Sequence, residues 1–153
     1  MPAELRHKEF RFPVEVVWHA GRRTTAKVEG KAPLRIATPR EFRGTDPDLW
    51  SPEDAFVAAA GSCLAVTIAA LADREQLPVR GLSVRADGVV GRRPDGRFGF
   101  VRIEQTVELE TEPEYEDAAR AMVAKAEDSC LVTVSLALPV ETKVEVRPPL
   151  AVA

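Results

Sequence analysis

Six segments of this chain are predicted to be β-strands, and the longest of them alternate apolar and polar residues, the pattern expected of half-buried strands. Most of these segments are rich in valine, isoleucine, threonine and aromatic residues, and they cover residues 10–18, 24–28, 34–37, 82–90, 99–110 and 140–146. The turn sequence Pro94-Asp95-Gly96 separates the two longest segments. These two are therefore predicted to form a long hairpin.

The clearest helix signal begins at Ser51. Serine is a favoured N-cap, Pro52 suits the first helical position, and Glu53 suits the positive end of the helix dipole. The pattern predicts a helix from Ser51 to about residue 75, ending before Pro78. The middle of this helix reads AFVAAAGSCLAVTIAALA and is apolar on every side, which is typical of a helix buried at the centre of a domain.

A second helix is predicted over residues 113–128. Ala118, Met122 and Ala126 recur there every four residues, and the same step continues to Cys130. The element order βββ-α-ββ-α-β predicts the α+β class, with largely antiparallel sheets around the long buried central helix. No internal repeat or linker divides the chain, so residues 1–153 are predicted to form a single domain.

Composition narrows the range of partners. The chain has 153 residues, 45% of them hydrophobic and 29% charged, and its formal net charge is −3. This balance argues against nucleic acid or an anionic membrane as a partner. The longest apolar run, residues 55–72, is interrupted by Gly61, Ser62 and Thr67, so no membrane span is expected. The N-terminus lacks the apolar block of a secretory signal, which predicts a cytoplasmic protein.

The only two cysteines, Cys63 and Cys130, leave four interpretations open. Both could be buried small hydrophobes, a common environment of free cysteine. A zinc site or a hydrolytic nucleophile would need histidine, and the chain has only His7 and His19, without CxxC or HxxxH spacing. The fourth interpretation is a redox pair, in which Cys63 attacks an oxidant and Cys130 resolves the product.

A reactive thiol needs a lowered pKa, which a neighbouring arginine held by a carboxylate can provide. The arginines available for this role are Arg22, Arg23, Arg40 and Arg43. The available carboxylates are Glu53 and Asp54, which also suit the start of the predicted helix.

Three segments resemble the OsmC/Ohr superfamily, named after osmotically inducible protein C and the organic hydroperoxide resistance protein. The first is SPEDAFVAAAGSCL, residues 51–64, which resembles the family signature of Pro-Glu, small and apolar residues, and a reactive cysteine. The second is AKAEDSCLVTVSLALPVETKVEV, residues 124–146, and the third is TPREF, residues 38–42. The resemblance covers about residues 14–146.

This resemblance implies an OsmC-like fold, an intertwined homodimer and a thiol-dependent peroxidase for organic hydroperoxides. It implies that Cys63 is the peroxidatic thiol, Cys130 the resolving thiol, and Glu53 the holder of the activating arginine. Arg22 stands where one branch has its Gly-Gly-Arg turn, and the alternatives are Arg23, Arg40 and Arg43. No metal or bound cofactor is implied; the reductant is an external dithiol, a lipoylated protein in the Ohr branch.

Three apolar residues near the signature are candidates for the substrate pocket: Trp50, Phe56 and Leu64. Simple core packing is an equally good interpretation of each one alone. Two features depart from the family pattern, since Leu131 follows the second cysteine in place of proline and the loop before the helix reads GTDPDLW. They indicate a less typical OsmC-like branch.

Glu53 and Cys63 lie ten residues apart on the predicted helix, which separates them by about 15 Å along its axis. They cannot meet within one straight helix, so a shared site would pair two copies of the helix antiparallel, with Glu53 of one copy near Cys63 of the other. The run of small residues before Cys63 would allow such close packing. The alternative functions are a non-enzymatic dimer that binds a small apolar ligand or senses redox state, and a structural dimer with inert thiols.

Overall fold

The computed structural model describes residues 8–151. The chain divides into two compact units, residues 1–52 and 53–153, and each is described by itself. The prediction of a single domain over the whole chain stays a prediction.

The first unit contains a three-stranded antiparallel sheet in the order β1-β2-β3. The strands are β1 (Glu15–Trp18), β2 (Arg23–Lys27) and β3 (Leu34–Ala37), followed by a 3-10 turn over Arg40–Phe42. All three predicted strands are confirmed.

The predicted start of the first strand at residue 10 was wrong, because β1 begins at Glu15. Glu15 pairs with Lys27, the last residue of β2. Beyond Lys27 the chain turns away: Gly30 has a φ of 74°, and the N–H of Lys31 donates to the Val28 carbonyl. Within residues 8–151, no strand therefore pairs with residues 10–14.

The second unit is built on a long helix and a second three-stranded sheet. Its elements are α1 (Pro52–Glu75), β4 (Gly81–Arg92), β5 (Phe98–Glu110), a 3-10 turn (Pro113–Tyr115), α2 (Glu116–Ser129), α3 (Leu131–Val134) and β6 (Val140–Arg147). Gln76, just beyond α1, adopts a left-handed φ of 55°, a common way for a helix to end. The α+β class and the order βββ-α-ββ-α-β are confirmed.

The sheet of the second unit has the order β4-β5-β6. β4 and β5 form the predicted hairpin, with a bulge between Val89 and Val90. β6 pairs with β5 in parallel, from Ile103 opposite Val140 to Glu110 opposite Arg147. A parallel pair needs a crossover connection, and the segment containing α2 and α3 supplies it. The sheets of the described chain are thus largely antiparallel, as predicted, with one parallel pair.

The core of the second unit lies between α1, α2 and the sheet. Its members are apolar and almost all fully buried, and they include Leu64, Ile68, Val107, Leu109, Met122, Val123 and Ala126. Of the residues that recur every four positions along α2, Met122, Ala126 and Cys130 are buried. Ala118 is exposed, and its neighbour Ala119 lies in the core.

Helix α1 has two different faces. One face, which includes Ala60, Gly61 and Leu64, is buried, and a Cβ placed on Gly61 would lie 3.4 Å from the Cβ of Ala86 in β4. The opposite face of small and apolar residues is exposed: Ala59, Ser62, Val66, Ala69 and Ala70. Helix α1 is long and apolar enough to cross a membrane. Core helices of water-soluble proteins meet the same criteria of length and composition.

Candidate active site

Cys63 and Cys130 are brought together in the second unit. Cys63, on α1, is half-buried and packs against the core cluster that contains Cys130. Cys130 is fully buried, with 0% of its surface exposed. Both cysteines are free thiols. A small oxidant can therefore reach Cys63 from solvent more easily than it can reach Cys130.

Cys130 lies at the junction between α2 and α3. Its backbone is extended, with φ −70° and ψ 107°, so α2 ends at Ser129 and a new helical turn starts at Leu131. The N–H of Val134 closes this turn by donating to the Cys130 carbonyl at 3.0 Å. The junction holds the sulfur at the end of the buried face of α2.

Two opposing effects act on the pKa of the Cys130 thiol. Burial acts to raise this pKa, because it disfavours the charged thiolate. Hydrogen bonds from the Thr133 hydroxyl and backbone, the Cys63 thiol and the Val132 backbone act to lower it, and together they outweigh burial. The pKa of Cys130 consequently lies below its ordinary value, which favours the nucleophilic thiolate.

Glu53 occupies the first turn of α1, as predicted. It shares this straight helix with Cys63, so about 15 Å of axial rise separates the two residues. Glu53 Oε2 is buried and has no hydrogen-bond partner among residues 8–151. Since an unpaired buried carboxylate oxygen is costly, this atom is suited to a donor from outside the described chain.

The four candidate arginines lie in the first unit. Arg22 Nη1 donates to the carbonyls of Phe42 at 2.8 Å and Arg43 at 3.3 Å. Arg23 forms a long ion pair with Asp46 at 3.7 Å. Arg40 and Arg43 are exposed.

The loop that Arg22 contacts is tightly folded. Its chain closes through a 2.8 Å hydrogen bond from the Gly44 N–H to the Pro39 carbonyl. A Cβ on Gly44 would lie 1.7 Å from the Thr38 carbonyl oxygen, so only glycine fits there. Arg43 adopts a left-handed φ of 63°, an uncommon conformation for a residue with a side chain. Arg22 is therefore anchored to an unusually constrained turn.

The three predicted pocket residues are divided between the two units of the chain. Trp50 belongs to the first unit, where its carbonyl accepts a hydrogen bond from Ala37 at 2.8 Å. Phe56 stacks on Phe100, with 4.6 Å between the ring centroids. Leu64 is part of the core and also lines a cavity of about 180 Å³.

The cavity contains residues that the sequence analysis missed. Gln105 on β5 and Thr142 on β6 line it and stand opposite each other in the parallel register. A signal for both was present. Gln105 interrupts the buried apolar series Ile103, Val107 and Leu109, and Thr142 interrupts the matching series on β6.

One of the two histidines of the zinc interpretation lies within the described residues. His19 shares a 2.7 Å hydrogen bond with the Thr25 hydroxyl, and His7 lies outside the described residues. Within residues 8–151, no group of three or more histidine, cysteine or acidic side chains could hold a metal ion.

Comparison with known proteins gives a consistent result. A family model described as OsmC-like protein matches residues 44–145. An uncharacterized protein of Bacillus subtilis, YmaD, is 27% identical over 139 residues, which covers 88% of this chain and 91% of the relative.

Two solved structures share the fold. An OsmC-like protein of unknown function from Vibrio cholerae has a TM-score of 0.81 at 17% identity, covering 90% of this chain and 100% of the other. An organic hydroperoxide resistance protein OsmC from Legionella pneumophila has a TM-score of 0.71 at 22% identity, covering 90% of this chain and 96% of the other.

Proposed function

Because the chain belongs to the OsmC-like protein family, we propose that it is a thiol-dependent peroxidase that reduces organic hydroperoxides. The observation that carries this proposal is the packing of Cys63 against the buried cluster that contains Cys130. The likeness to a protein named for organic hydroperoxide resistance supports the substrate class. Such an activity belongs in the cytoplasm, where dithiol reductants keep protein thiols reduced.

In the first step, the Cys63 thiolate attacks the distal oxygen of the hydroperoxide. An S–O bond forms, the O–O bond breaks, and the alkoxide leaves and takes up a proton to become an alcohol. Cys63 is thereby oxidised to a sulfenic acid. Its partial exposure supports this assignment, because the oxidant must reach the attacking sulfur.

In the second step, the Cys130 thiolate attacks the sulfur of the Cys63 sulfenic acid. The S–S bond forms, the S–O bond breaks, and hydroxide leaves as water after it takes up a proton. The lowered pKa of Cys130 supports this role, since the thiolate is the nucleophilic form. Burial of Cys130 protects it from direct attack by solvent oxidants.

In the third step, an external dithiol of the lipoamide class attacks the disulfide between Cys63 and Cys130. Thiol–disulfide exchange passes through a mixed disulfide, restores both protein thiols and leaves the reductant as its own disulfide. The two electrons that reduced the hydroperoxide thus come from the dithiol, and the residues of this chain need no metal for any step.

The activating arginine is held by Glu53 of a second copy of the chain. The unpaired Oε2 of Glu53 and its distance from Cys63 along α1 both support a site shared in a homodimer. The exposed face of α1 around Val66 offers the surface on which the second helix packs. Arg22 is our first candidate for the arginine; its anchored position beside the turn at Phe42 would aim the guanidinium.

The test is the intact mass after one equivalent of cumene hydroperoxide. The wild-type protein should lose two hydrogens per chain, mapped to a bond between Cys63 and Cys130. The Cys130→Ser variant should stop at a sulfenic acid on Cys63 that dimedone traps, because no resolving thiol follows. The Cys63→Ser variant should show neither product.

Unchanged hydroperoxide consumption in the Cys63→Ser variant would contradict the proposal. So would an unchanged wild-type mass after repeated additions, since that outcome indicates inert thiols. A disulfide that forms while turnover with lipoamide stays absent would favour a redox sensor over an enzyme.

A further inference from the structure

A second candidate site lies in the second unit, in the cavity of about 180 Å³ between α1, the sheet and the α2–α3 junction. Leu64 contributes from α1, Gln105 from β5 and Thr142 from β6, while Glu127 and Thr133 contribute from the helical side. A dry cavity of about 150 Å³ can hold benzene, so this volume suits a ligand of similar size.

Two oxygen atoms at this cavity are buried without a hydrogen-bond partner among the described residues. They are Gln105 Oε1 and Thr142 Oγ1. Gln105 is only 3% exposed, and the parallel register places it directly opposite Thr142. Buried polar atoms are nearly always paired, because an unpaired one loses its hydration without replacement. A ligand that donates hydrogen bonds would satisfy both atoms at once.

The remaining lining residues indicate the charge of the ligand. Glu127 and Asp128 bring two carboxylates, and no basic side chain is among the lining residues. Both carboxylates lie in the last turn of α2, where the helix dipole also favours a positive charge. The apolar part of the lining consists of Leu64, Val134, Leu138 and Val140.

We infer that this cavity binds a small primary ammonium ion with a short alkyl chain. Two ammonium N–H groups donate to Gln105 Oε1 and Thr142 Oγ1, and the alkyl chain lies against the apolar wall around Leu64. The carboxylates of Glu127 and Asp128 compensate the charge. The cavity adjoins the two cysteines, since Leu64 follows Cys63 and Thr133 hydrogen-bonds Cys130, but the inference does not depend on the peroxidase proposal.

The test is binding of n-butylammonium to the Cys63→Ser protein, followed by NMR titration. Saturable binding is expected, with n-butanol and butyrate binding at least about tenfold more weakly, a loss that corresponds to one charge-assisted hydrogen bond. Gln105→Leu and Thr142→Val should each weaken butylammonium binding by at least about tenfold. Thr106→Val is the matched control. Thr106 follows Gln105 on β5, so its side chain points to the other face of the sheet, and this substitution should leave butylammonium binding unchanged.

Thermal unfolding without ligand gives a second measurement for a variant that does not bind butylammonium. Removal of an unpaired buried polar group should raise the Tm of Gln105→Leu by about 2–12 °C. No saturable binding to the Cys63→Ser protein overturns the inference. Equal binding of butanol, or unchanged binding to Gln105→Leu, also overturns it. Because the test uses the Cys63→Ser protein, which lacks the proposed peroxidatic thiol, a failure to bind butylammonium leaves the peroxidase proposal unaffected.

Discussion

Replacing Val66 by lysine tests whether the exposed face of α1 packs against a second copy. Val66 lies near the middle of this face and is 65% exposed in the single chain. Lysine is a good helix former, and a substitution at so exposed a position should change the free energy of unfolding of a lone chain by less than about 0.5 kcal/mol. Any large effect must therefore come from association.

The expected size of the effect follows from that exposed fraction. Full burial of a valine side chain stabilises by about 1.5–3 kcal/mol, so burial of the remaining surface of Val66 should contribute about 1–2 kcal/mol per chain. Two copies give about 2–4 kcal/mol per dimer, which corresponds to a dissociation constant about 30-fold to several hundred-fold higher. Desolvation of the lysine charges adds to this loss.

Sedimentation velocity over a dilution series measures the dissociation constant directly. The Val66→Lys protein should dissociate at concentrations where the wild-type protein remains dimeric, and its consumption of cumene hydroperoxide should fall with the dimer. Ala124→Lys is the matched control, since Ala124 is an exposed apolar residue on α2. A Val66→Lys protein with the wild-type dissociation constant and turnover would refute the shared site.

Two further predictions concern Cys130 and the packing of α1 on the sheet. Hydrogen bonds hold the pKa of Cys130 low against the opposing effect of burial. Thr133→Val should therefore raise that pKa and move the pH profile of disulfide formation, followed by stopped-flow, to higher pH; an unmoved profile would contradict this. A Cβ on Gly88 of β4 would overlap Cγ2 of Val57 on α1 and lie 2.5 Å from Cε1 of Phe100, so Gly88→Ala should cost about 1–3 kcal/mol, measured by urea unfolding. Gly91→Ala, with no neighbour closer than 3.8 Å, should cost less than half as much, and equal costs would contradict the packing argument.

Local signals in the sequence were enough to place α1 and the hairpin. Helix α1 begins at Pro52 and ends at Glu75, within a residue of the prediction, because proline, acidic residues and the following apolar run act within one segment. The pairing of Cys63 with Cys130 was one of several interpretations that the residues left open, and the family resemblance favoured it; in the structure Cys63 packs against the cluster that contains Cys130. Spacing along the chain says nothing about the contact of residues 67 positions apart.

Features that depend on distant partners were predicted less well. The start of β1 at Glu15 is set by the end of β2, which the sequence of β1 does not contain. The parallel pairing of β6 follows from the crossover through α2 and α3, and the last of these helices was not predicted at all. The cavity beside Gln105 was missed because its polar residues become significant only when two strands are aligned in register.

The pairing of β6 with β5 has a consequence for biosynthesis. β6 follows β5 along the chain, with α2 and α3 between them, so β5 leaves the ribosome before β6. Until then one edge of β5 stays open, and Val144 and Val146 cannot cover the cluster around Cys130. A nascent chain that has not yet reached β6 would thus expose this thiol and a free strand edge together, so synthesis through β6 protects the chain from oxidation and aggregation.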